Sequence, residues 1–532
     1  MDSLREKVID IILEEIKNGS IKSKEELLRR KKDLAREFNL EKIPTNTEIF
    51  LASGKDVKLR ELLKIKPVRT TSGVAVVAVM TRPFPCPHGN CIYCPSVDGI
   101  PKSYTGKEPA TMRAIRNKFD PFLQVTDRLN QYFLTGHFPQ KVELVVMGGT
   151  FTSFPDKYQE NFIKNCFLAM NFFGRKRLNR NFTLRQAQKM NENARIRCVA
   201  LVFETRPDYS KEKQVDNMLR LGGTRVELGV QSVYEDVLKK IGRKHGIDDV
   251  IEATRILKDS GFKVDYHVML GLPGSNKERD KRMFDILFEN PSFRPDGLKI
   301  YPTLIVKGSE LYEHWKYGKY KAIDDDYVID LLSDVKARIP IYVRIKRIMR
   351  DISAKAIEAG PRKSNIRELI RKKMKEKKLK CRCIRCREIG HRLMEEKIEF
   401  NPDDFELCRY DYEASEGKEI FLSYEDKKND ALVGFLRLRK VSDKAHRKEI
   451  KGKNTMIVRE LHVYGTMVPI GRRIKEAFQH KGYGAKLLKE AEKIAKKDFN
   501  ADKLLILSGI GAKVYYKKLG YGYDGVYLSK KL

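Results

Sequence analysis

Six short apolar runs, separated by stretches with helical spacing, occupy the chain from about residue 71 to residue 301. We predict strands at residues 73–80, 142–147, 198–203, 226–230, 264–270 and 298–301, with helices between them such as 112–133, 211–221, 247–261 and 276–288. Strands that alternate with helices in this way are typical of a parallel sheet. Six such units predict an α/β fold, a partial (βα)6 barrel whose chemistry lies at the carboxyl ends of its strands.

The loop after the first predicted strand carries three closely spaced cysteines, Cys86, Cys91 and Cys94. Three thiolates at this spacing can hold three irons of a 4Fe–4S cluster and leave the fourth iron open for a ligand. The prolines around them keep the loop out of helix and sheet. A zinc site with His88 as fourth ligand is the alternative, because structural zinc usually has four protein ligands. We favour the cluster, since no fourth cysteine lies nearby.

Several other predicted strands end in polar or glycine-rich segments. Gly148 and Gly149 allow backbone groups to approach a ligand closely, and Glu204 and Arg206 project to the same side of their strand. The fourth strand ends at Gln231, and the fifth and sixth also lead into polar segments. Routine loop caps explain any one of these segments, but five in succession favour a ligand site.

The chain is strongly basic, with 107 lysines and arginines against 72 acidic residues and a net charge of +35. A charge of this size implies a polyanionic partner, although it does not distinguish RNA from DNA. The excess is uneven, because residues 336–397 carry 22 Lys or Arg against 7 Asp or Glu. We predict phosphate-binding residues at Arg29, Arg30, Lys31, Lys32, Arg344, Arg347, Lys372 and Lys373. Solvated helix faces are the alternative.

The length of 532 residues indicates more than one domain. We expect a helical basic N-terminal segment at 1–70, the barrel at 71–335, a basic linker at 336–404 and a further α/β domain at 405–532. No apolar run is long enough to predict a membrane span, and the charged start does not resemble a signal peptide. Nine cysteines, most of them clustered, fit metal ligation in a reducing compartment, so we expect a cytoplasmic protein.

A second cysteine cluster, Cys381, Cys383 and Cys386, lies in the predicted linker. Three thiols within six residues are a strong signal for a small metal site, and closed sites of this kind usually hold zinc. Unligated surface thiols on a basic helix are the alternative. We predict a structural zinc site that joins two domains, with His391 or Cys408 as the fourth ligand.

The last 128 residues combine predicted strands with a glycine turn that precedes a helix. Gly482 and Gly484 would expose backbone N–H groups to an anion, here a pyrophosphate. Together with the strand at 458–464 and a last helix bearing Tyr515 and Tyr516, this segment resembles the GNAT class of acetyl-CoA-dependent acetyltransferases. In that class a strand lies along the pantetheine arm and a tyrosine lies near the thioester sulfur.

Acetyl transfer to an amine usually needs a general base. Glu460 and His462 lie on one face of the predicted strand, but alternation does not show which way that face points. The sequence therefore predicts an acetyl-CoA site without establishing what accepts the acetyl group.

Three features of the predicted barrel resemble those of radical S-adenosylmethionine (SAM) enzymes. They are the cysteine loop, the pair Gly148–Gly149 and the pair Glu204/Arg206. The first two cysteines are separated by four residues, where the commonest motif of that superfamily has three. Segments 86–95, 103–106, 108–116 and 146–151 resemble more closely the Elongator catalytic-subunit family of tRNA uridine carboxymethyltransferases. The resemblance covers the chain from about residue 70 to its end.

That resemblance implies a role for individual residues. It places the cluster on Cys86, Cys91 and Cys94, and SAM at Gly148, Gly149, Glu204, Arg206 and Gln231. The implied acetyl-CoA contacts are Lys141, Arg459, Glu460, Leu461, His462, Gln479, Lys481, Gly482, Tyr483, Gly484, Ala485 and Tyr515. Tyr515, Tyr516 and Lys141 are the candidate catalytic residues, although an ordinary surface lysine is a strong alternative for Lys141. The resemblance also agrees with zinc at the second cysteine cluster.

The implied activity is formation of 5-carboxymethyluridine at the wobble uridine of tRNA. An electron donor would reduce the cluster, which cleaves SAM to methionine and a 5′-deoxyadenosyl radical that takes hydrogen from the acetyl methyl of acetyl-CoA. The carbon radical would add to C5 of the uridine, and hydrolysis of the thioester would release CoA and leave the carboxymethyl group. The protein would act as a homodimer or within a larger Elongator-like assembly. One alternative is a protein lysine acetyltransferase with a structural cluster, which would not need the glycines and charged residues at the strand ends. A nucleic-acid-binding scaffold is the other.

Overall fold

The computed structural model describes residues 2–54, 56, 59–65, 70, 72–175, 181–396, 400–464 and 482–532. Two of the expected acetyl-CoA contacts, Gln479 and Lys481, lie outside the described residues. The described strands form two seven-stranded sheets, one parallel and one mainly antiparallel. No helix in this part of the chain combines the length and apolar character needed to cross a membrane.

The N-terminal segment is helical, as predicted. Its helices are α1 (Asp2–Lys17), α2 (Lys24–Glu37), α3 (Asn46–Ala52) and α4 (Arg60–Leu63). The second helix begins at Ser23, where a capping box with Glu26 satisfies backbone N–H groups that a helix start would otherwise leave unpaired. Val8, Ile12 and Leu27 lie among the buried apolar residues that hold the helices together.

The parallel sheet confirms the partial barrel. Its strands are β1 (Ala75–Met80), β2 (Lys141–Met147), β3 (Arg197–Thr205), β4 (Arg225–Gln231), β5 (Lys263–Leu270), β6 (Gly297–Pro302) and β7 (Arg344–Ile348), in that order across the sheet. The helices of this region are α5 (Pro109–Arg116), α6 (Pro121–Leu134), α7 (Asp156–Asn171), α8 (Leu184–Asn191), α9 (Glu212–Arg220), α10 (Glu235–Lys240), α11 (Ile247–Asp259), α12 (Lys277–Glu289), α13 (Glu310–Lys316), α14 (Asp325–Ala337) and α15 (Ile366–Glu376).

The seventh strand corrects the prediction of six. Strand β7 pairs in parallel with β6, so the barrel extends past the expected boundary at residue 335. In this strand the charged residues Arg344 and Lys346 alternate with the apolar Ile345. The charge of the run is the reason that the sequence analysis places it in the basic linker. The charges point into a polar interior, where a core strand can carry them without facing solvent.

A second correction concerns the helix predicted over 112–133. The chain instead forms α5 and α6, because Lys118 and Phe119 adopt positive φ and Asp120 starts a new helix. The Asp120 side chain accepts a hydrogen bond from the N–H of Leu123, and Pro121 occupies the first helical position, where no N–H is required.

Buried charges fill the interior of the barrel. Arg225 of β4 lies 2.7 Å from Glu143 of β2 and 3.4 Å from Asp265 of β5. Lys346 of β7 lies 3.0 Å from Asp265 and 3.3 Å from Glu227. Burial opposes ionisation of Glu143, but Arg225 and Lys346 lower its pKa to about 2. These pairs explain how a polar interior remains stable.

The C-terminal sheet begins after two short helices, α16 (Ile384–Arg387) and α17 (Ile389–Glu396). Its strands are β8 (Phe405–Ala414), β9 (Gly417–Asp426), β10 (Ala431–Lys440), β11 (Thr455–Val463), β12 (Lys503–Ile506), β13 (Gly522–Asp524) and β14 (Tyr527–Lys531), with helices α18 (Tyr483–Phe499) and α19 (Lys513–Lys517). The order across the sheet is β13-β14-β12-β11-β10-β9-β8. Helix α18 packs its apolar face, including Leu487 and Ala491, against this sheet.

Buried ion pairs join this sheet to the amino-terminal end of the barrel. Arg459 of β11 lies 2.8 Å from both Asp296, which precedes β6, and Glu419 of β9. Glu460 of β11 forms an ion pair of 2.5 Å with Lys263 at the start of β5. The C-terminal domain therefore covers the end of the barrel opposite the cysteine loop.

Candidate active site

A cavity that is open to solvent lies at the carboxyl ends of the barrel strands. Residues far apart in sequence line it together: Cys86, Cys91, Cys94, Gly149, Glu204, Arg206, Gln231, Arg243, His267, Tyr301, Arg347 and Arg350. Gly148 lies just outside this lining, with a φ of +115°, and a Cβ there would collide with the Thr81 side chain. The structure thus brings the predicted cluster loop and SAM residues to one site.

The three cysteines of the loop have unequal surroundings. Cys91 lies 3.1 Å from His88 Nε2 and 3.7 Å from Arg243 Nη1, measured from its sulfur, whereas the Cys94 sulfur lies 2.8 Å from Ser103 Oγ. A hydrogen bond from Cys94 lowers the pKa of Cys91 to about 3 against the effect of burial, and His88 and Arg243 lower it further. The site therefore favours a thiolate, the form that binds metal.

The sulfur positions fit a cluster better than a single zinc ion. Zinc–sulfur bonds of about 2.3 Å require the sulfurs around one ion to lie within about 4.6 Å of each other. Among the described residues, only two groups of three potential ligands converge within 4.8 Å, and Cys86, Cys91 and Cys94 are not one of them. A 4Fe–4S cluster places a separate iron on each thiolate, so it does not require all three sulfurs to converge on one ion.

Two of the expected SAM residues each have a buried polar atom without a hydrogen-bond partner in the described part of the chain. These atoms are Oε1 of Gln231 and Nη1 of Arg206. The rest of the Arg206 guanidinium is held by Asp208 at 2.9 Å, and Gln231 is fixed in a left-handed backbone conformation with φ of +69°. Buried polar atoms are normally paired, so these two are available to a polar ligand.

A group of buried charges beside the cavity involves His267 and Lys299, to which the sequence analysis assigned no individual role. Lys299 of β6 lies 2.9 Å from Glu204 and also pairs with Glu227, and His267 Nε2 lies 3.2 Å from Glu227. The signal available in the sequence was strand alternation, which places Lys299 two residues before Tyr301 on the same face. Lys299 orients Glu204, one of the predicted SAM residues.

The second cysteine cluster converges as a metal site should. The sulfurs of Cys381, Cys383 and Cys386 lie within 4.8 Å of one another. Neither of the expected fourth ligands, His391 or Cys408, belongs to the group of ligand atoms that converge within this distance.

Lys336 of α14 lies closest to this cluster instead. Its ammonium group is 3.3 Å from the Cys381 sulfur and 3.7 Å from the Cys386 sulfur. Hydrogen bonds from Cys381 and Cys386 hold the pKa of Cys383 well below its ordinary value, and Lys336 contributes to the same shift. Three convergent thiols with a thiolate among them fit zinc.

Replacing Cys383 with serine is expected to reduce bound zinc from about one ion per chain to almost none and to lower the midpoint of urea unfolding, because the energy of binding structural zinc contributes to folding. Elemental analysis of the purified protein measures the zinc. Cys408→Ser is the matched control and should keep the ion. Full zinc content in the Cys383 variant would contradict the assignment.

The C-terminal sheet opens at β11 in a way that fits an acyl-CoA. Strand β11 pairs with β12 from Thr455 to Val458, and among the described residues the pairing between these two strands stops there, although β11 itself continues to Val463. The register with β10 also shifts at this point and leaves Arg459 as an extra residue, a β-bulge. Gly482, with φ of +81°, then starts α18, whose first N–H groups can bind an anion.

The two candidate tyrosines differ in their surroundings. Tyr515 is 42% exposed, and a Cβ placed on Gly484 would lie 2.8 Å from its hydroxyl, so the phenol reaches over the first turn of α18. Tyr516 is 7% exposed and packs in the core of the C-terminal domain. We therefore retain Tyr515 as the candidate and withdraw Tyr516.

The structure also restricts the other expected acetyl-CoA contacts. The side chains of Arg459 and Glu460 are held in the interdomain ion pairs, so only their backbone is available to the ligand. The pKa of Glu460 is low because Lys263 and Arg437 outweigh the effect of burial, which makes it a poor base. The His462 ring contacts Tyr464 at 4.4 Å between centroids.

Leu461 is half-buried beyond the bulge, Tyr483 is buried in the first turn of α18, and Ala485 is half-buried one residue after Gly484. Lys141 pairs in register with Arg197, against which Gly511 of the C-terminal domain packs. Burial lowers the pKa of Lys141. It therefore lies beside the domain interface rather than on an open surface.

Tyr515→Phe is expected to reduce acetyl-CoA turnover about 100-fold without a change in stability, because loss of one hydrogen-bond donor to a developing oxyanion has an effect of that order. Tyr516→Phe, one residue away, should keep turnover within about twofold of the wild type. Release of CoA with a thiol reagent measures both. Equal effects of the two substitutions would contradict the assignment of Tyr515.

The expected phosphate-binding residues divide into exposed and structural ones. Arg29, Lys32 and Lys372 are exposed, and Arg347 lines the cavity, where it pairs with Asp351. The remaining four form contacts within the protein. Arg30 pairs with Glu15, Lys31 is buried against Asn46, Arg344 is bound to Glu388 and Tyr464, and Lys373 lies 3.9 Å from Asp330. Lys31 and Arg344 are therefore corrected to structural residues.

Four family models match the chain. Residues 83–287 match the Radical SAM superfamily and residues 387–521 the Acetyltransferase (GNAT) family. The ELP3 N-terminal domain matches residues 5–71, and the Radical_SAM C-terminal domain matches residues 295–376, across the predicted boundary at 335. The tRNA uridine(34) acetyltransferase of Methanocaldococcus infernus is 50% identical over 534 residues, 99% of this chain and 98% of that protein. The chain belongs to the Elongator complex protein 3 family.

Eukaryotic members of the Elongator complex protein 3 family are also similar over nearly the whole length. The Saccharomyces cerevisiae protein is 44% identical over 511 residues, which cover 94% of this chain and 90% of that protein. The solved structure of the archaeal M. infernus Elp3 with an N-terminal deletion superposes with a TM-score of 0.77 at 48% identity, covering 87% of this chain and all of that one. The family and its fold are thus established together.

Proposed function

We propose that this protein modifies the wobble uridine of tRNA to 5-carboxymethyluridine, using SAM, a 4Fe–4S cluster and acetyl-CoA. One observation carries the proposal: a cavity lined by the three loop cysteines and the expected SAM residues, and a C-terminal sheet whose β11–β12 pairing ends at Val458, belong to two domains joined by buried ion pairs. A cluster supplies the chemistry of one-electron cleavage of SAM to a radical that removes hydrogen from an acetyl group. The names of the curated relatives, which act on uridine 34, support the choice of substrate.

The residues of the cavity bind and orient the reactants in this proposal. Cys86, Cys91 and Cys94 would hold the cluster, and the unpaired atoms of Gln231 and Arg206 would bind polar groups of SAM. Glu204, whose carboxylate is held by Lys299, would accept hydrogen bonds from ribose hydroxyls. Because these groups are fixed before the ligand arrives, little ordering is needed when it binds.

Residues of the C-terminal domain would bind acetyl-CoA. The part of β11 beyond its pairing with β12 would lie along an extended pantetheine arm, and the start of α18 at Gly482 would bind the pyrophosphate. Tyr515 would donate a hydrogen bond near the thioester. The three convergent cysteines of the second cluster would hold a structural zinc beside the domain junction.

Positive charge around the cavity supports a nucleic-acid substrate. Three cations, Lys102, Arg347 and Arg350, line the cavity at the carboxyl ends of the strands. Arg350 donates a hydrogen bond of 2.6 Å to the Ser103 carbonyl, which holds its guanidinium at the rim. Phosphates flanking an extruded uridine would be bound by these cations.

The proposal is tested with protein reconstituted anaerobically with iron and sulfide, then mixed with dithionite, SAM, tRNA and acetyl-CoA labelled with ¹³C in the acetyl group. Mass spectrometry of the digested tRNA should show carboxymethyluridine that carries both labelled carbons, together with 5′-deoxyadenosine. Deoxyadenosine without labelled uridine would reject the proposed substrate. Acetylated lysines on added protein, with neither product, would favour a protein acetyltransferase instead.

A further inference from the structure

A turn after α10 packs directly against the cysteine loop. The N–H of Ile92 donates a hydrogen bond of 3.2 Å to the Ile241 carbonyl, and a Cβ on Gly242 would lie 3.1 Å from the Asn90 carbonyl oxygen. Gly242 has a φ of +75°, which lets the turn approach this closely. The next residue, Arg243, is thereby carried beneath the loop.

Arg243 is a buried cation with an unusual set of partners. It is 9% exposed, it donates to the Gly229 carbonyl at the end of β4, and its Nη1 lies 3.7 Å from the Cys91 sulfur. Its Nε is buried and has no hydrogen-bond partner among the described residues. A buried cation requires negative charge beside it, and the Cys91 thiolate is positioned to supply that charge.

His88 approaches the same sulfur from within the loop. It is 7% exposed, and its Nε2 lies 3.1 Å from Cys91 Sγ. Two buried nitrogen donors therefore converge on one of the three cluster ligands, whereas Cys94 is contacted by the Ser103 hydroxyl. Hydrogen bonds to ligand sulfurs and nearby charge are among the factors that set the reduction potential of an iron–sulfur cluster.

We propose that Arg243 and His88 raise the reduction potential of the cluster by stabilising negative charge on the Cys91 sulfur. Reduction adds one electron to the cluster, and a fixed cation together with an N–H donor stabilises that added charge in a site of low dielectric. Arg243 is then a positioning residue: it acts through the Cys91 sulfur and makes it easier to reduce the cluster before SAM is cleaved. The inference rests on the proposed function to the extent that the loop must bind a cluster.

The test is a potentiometric titration of the reconstituted full-length protein, followed by the electron paramagnetic resonance signal of the reduced cluster. For Arg243→Gln we expect the midpoint potential of the cluster to fall. At the wild-type midpoint the ratio of reduced to oxidised cluster should be about tenfold lower, which for one electron corresponds to a decrease of about 59 mV in the midpoint potential. His88→Phe should shift the midpoint in the same direction by less. Arg279→Gln, which removes one cation from an ion pair with Asp236 on α10, should leave it unchanged.

An unchanged midpoint in both Arg243→Gln and His88→Phe, each with full iron and sulfide content, would overturn this inference and leave the proposed function intact. Loss of the cluster from both variants with the fold retained would also overturn it, because the residues would then be needed for assembly. If the wild-type protein binds no cluster, the proposed function itself fails. A shift to lower potential in either loaded variant, absent in Arg279→Gln, supports the inference.

Discussion

Cys91→Ala is expected to abolish both 5′-deoxyadenosine formation and uridine modification. Two thiolates remain in the loop, Cys86 and Cys94, and a cluster that needs three protein ligands would be lost or inactive. Cys91 is buried and is the sulfur on which His88 and Arg243 converge, so its removal also leaves both of those groups without their partner. We expect a decrease of both products of at least about 1000-fold, since no other group of the chain supplies radical chemistry.

The matched control is Cys408→Ala, which removes a thiol on strand β8 of the other domain. That variant should retain its iron and form both products at nearly the wild-type rate. Iron and sulfide content, the visible absorption of the cluster and mass spectrometry of both products are measured together. Normal uridine modification by Cys91→Ala would reject the assignment of this loop as the catalytic centre.

Arg459→Met is expected to destabilise the protein by about 3–5 kcal/mol, the cost of removing one member of a buried ion pair. Its guanidinium is fully buried between Asp296 and Glu419, and methionine would fill part of the volume without the charge. Burial alone would raise the pKa of Asp296, but Arg459 and Arg437 hold it well below its ordinary value. The variant leaves Asp296 with weaker compensation at the junction of the two domains.

The pH dependence follows from the same shift. Because the folded-state pKa of Asp296 is below its unfolded value, its contribution to stability is present above the unfolded pKa and is lost as the pH falls towards the folded one. The difference between wild type and variant should therefore shrink in acid. Urea unfolding followed by circular dichroism measures it at neutral and acidic pH.

Arg409→Met is the control for this substitution. Arg409 forms ion pairs with Asp411 and Asp498, but its side chain is 38% exposed, and exposed pairs contribute less than about 1 kcal/mol. Similar small shifts for the two variants would contradict the view that Arg459 anchors the domains.

The alternation of apolar runs and helices was sufficient to predict six of the seven barrel strands within about two residues. Most residues of those runs are apolar because the barrel core and its helices cover them, and single charges such as Glu143 and Asp265 do not break the pattern. Strand β7 was not predicted from this pattern, because its sequence includes the charged residues Arg344 and Lys346, which face the interior. A charged residue is read as exposed until the buried carboxylate that pairs with it is known.

Local spacing was also sufficient to predict metal binding at the two cysteine clusters, since ligand type and separation within one loop do not depend on the rest of the fold. Tertiary structure alone decided which residues from other strands and turns surround them. Arg243 and Lys336 belong to no motif, yet each lies within 4 Å of a cysteine sulfur. The same holds for Tyr515 and Tyr516, which are neighbours in sequence and differ only in the side of a short helix that faces the core.

The sequence by itself therefore determined the classes of domain, the cysteine loops and the basic character of this protein, because these depend on residue type and short spacing. Only the tertiary structure decided which charges are free and which are structural. Arg459 and Arg344 are indistinguishable from surface arginines in the sequence, and their buried partners Asp296 and Glu388 come from other elements of the fold. Pairing of buried charges is a contact between distant segments, and no local pattern encodes it.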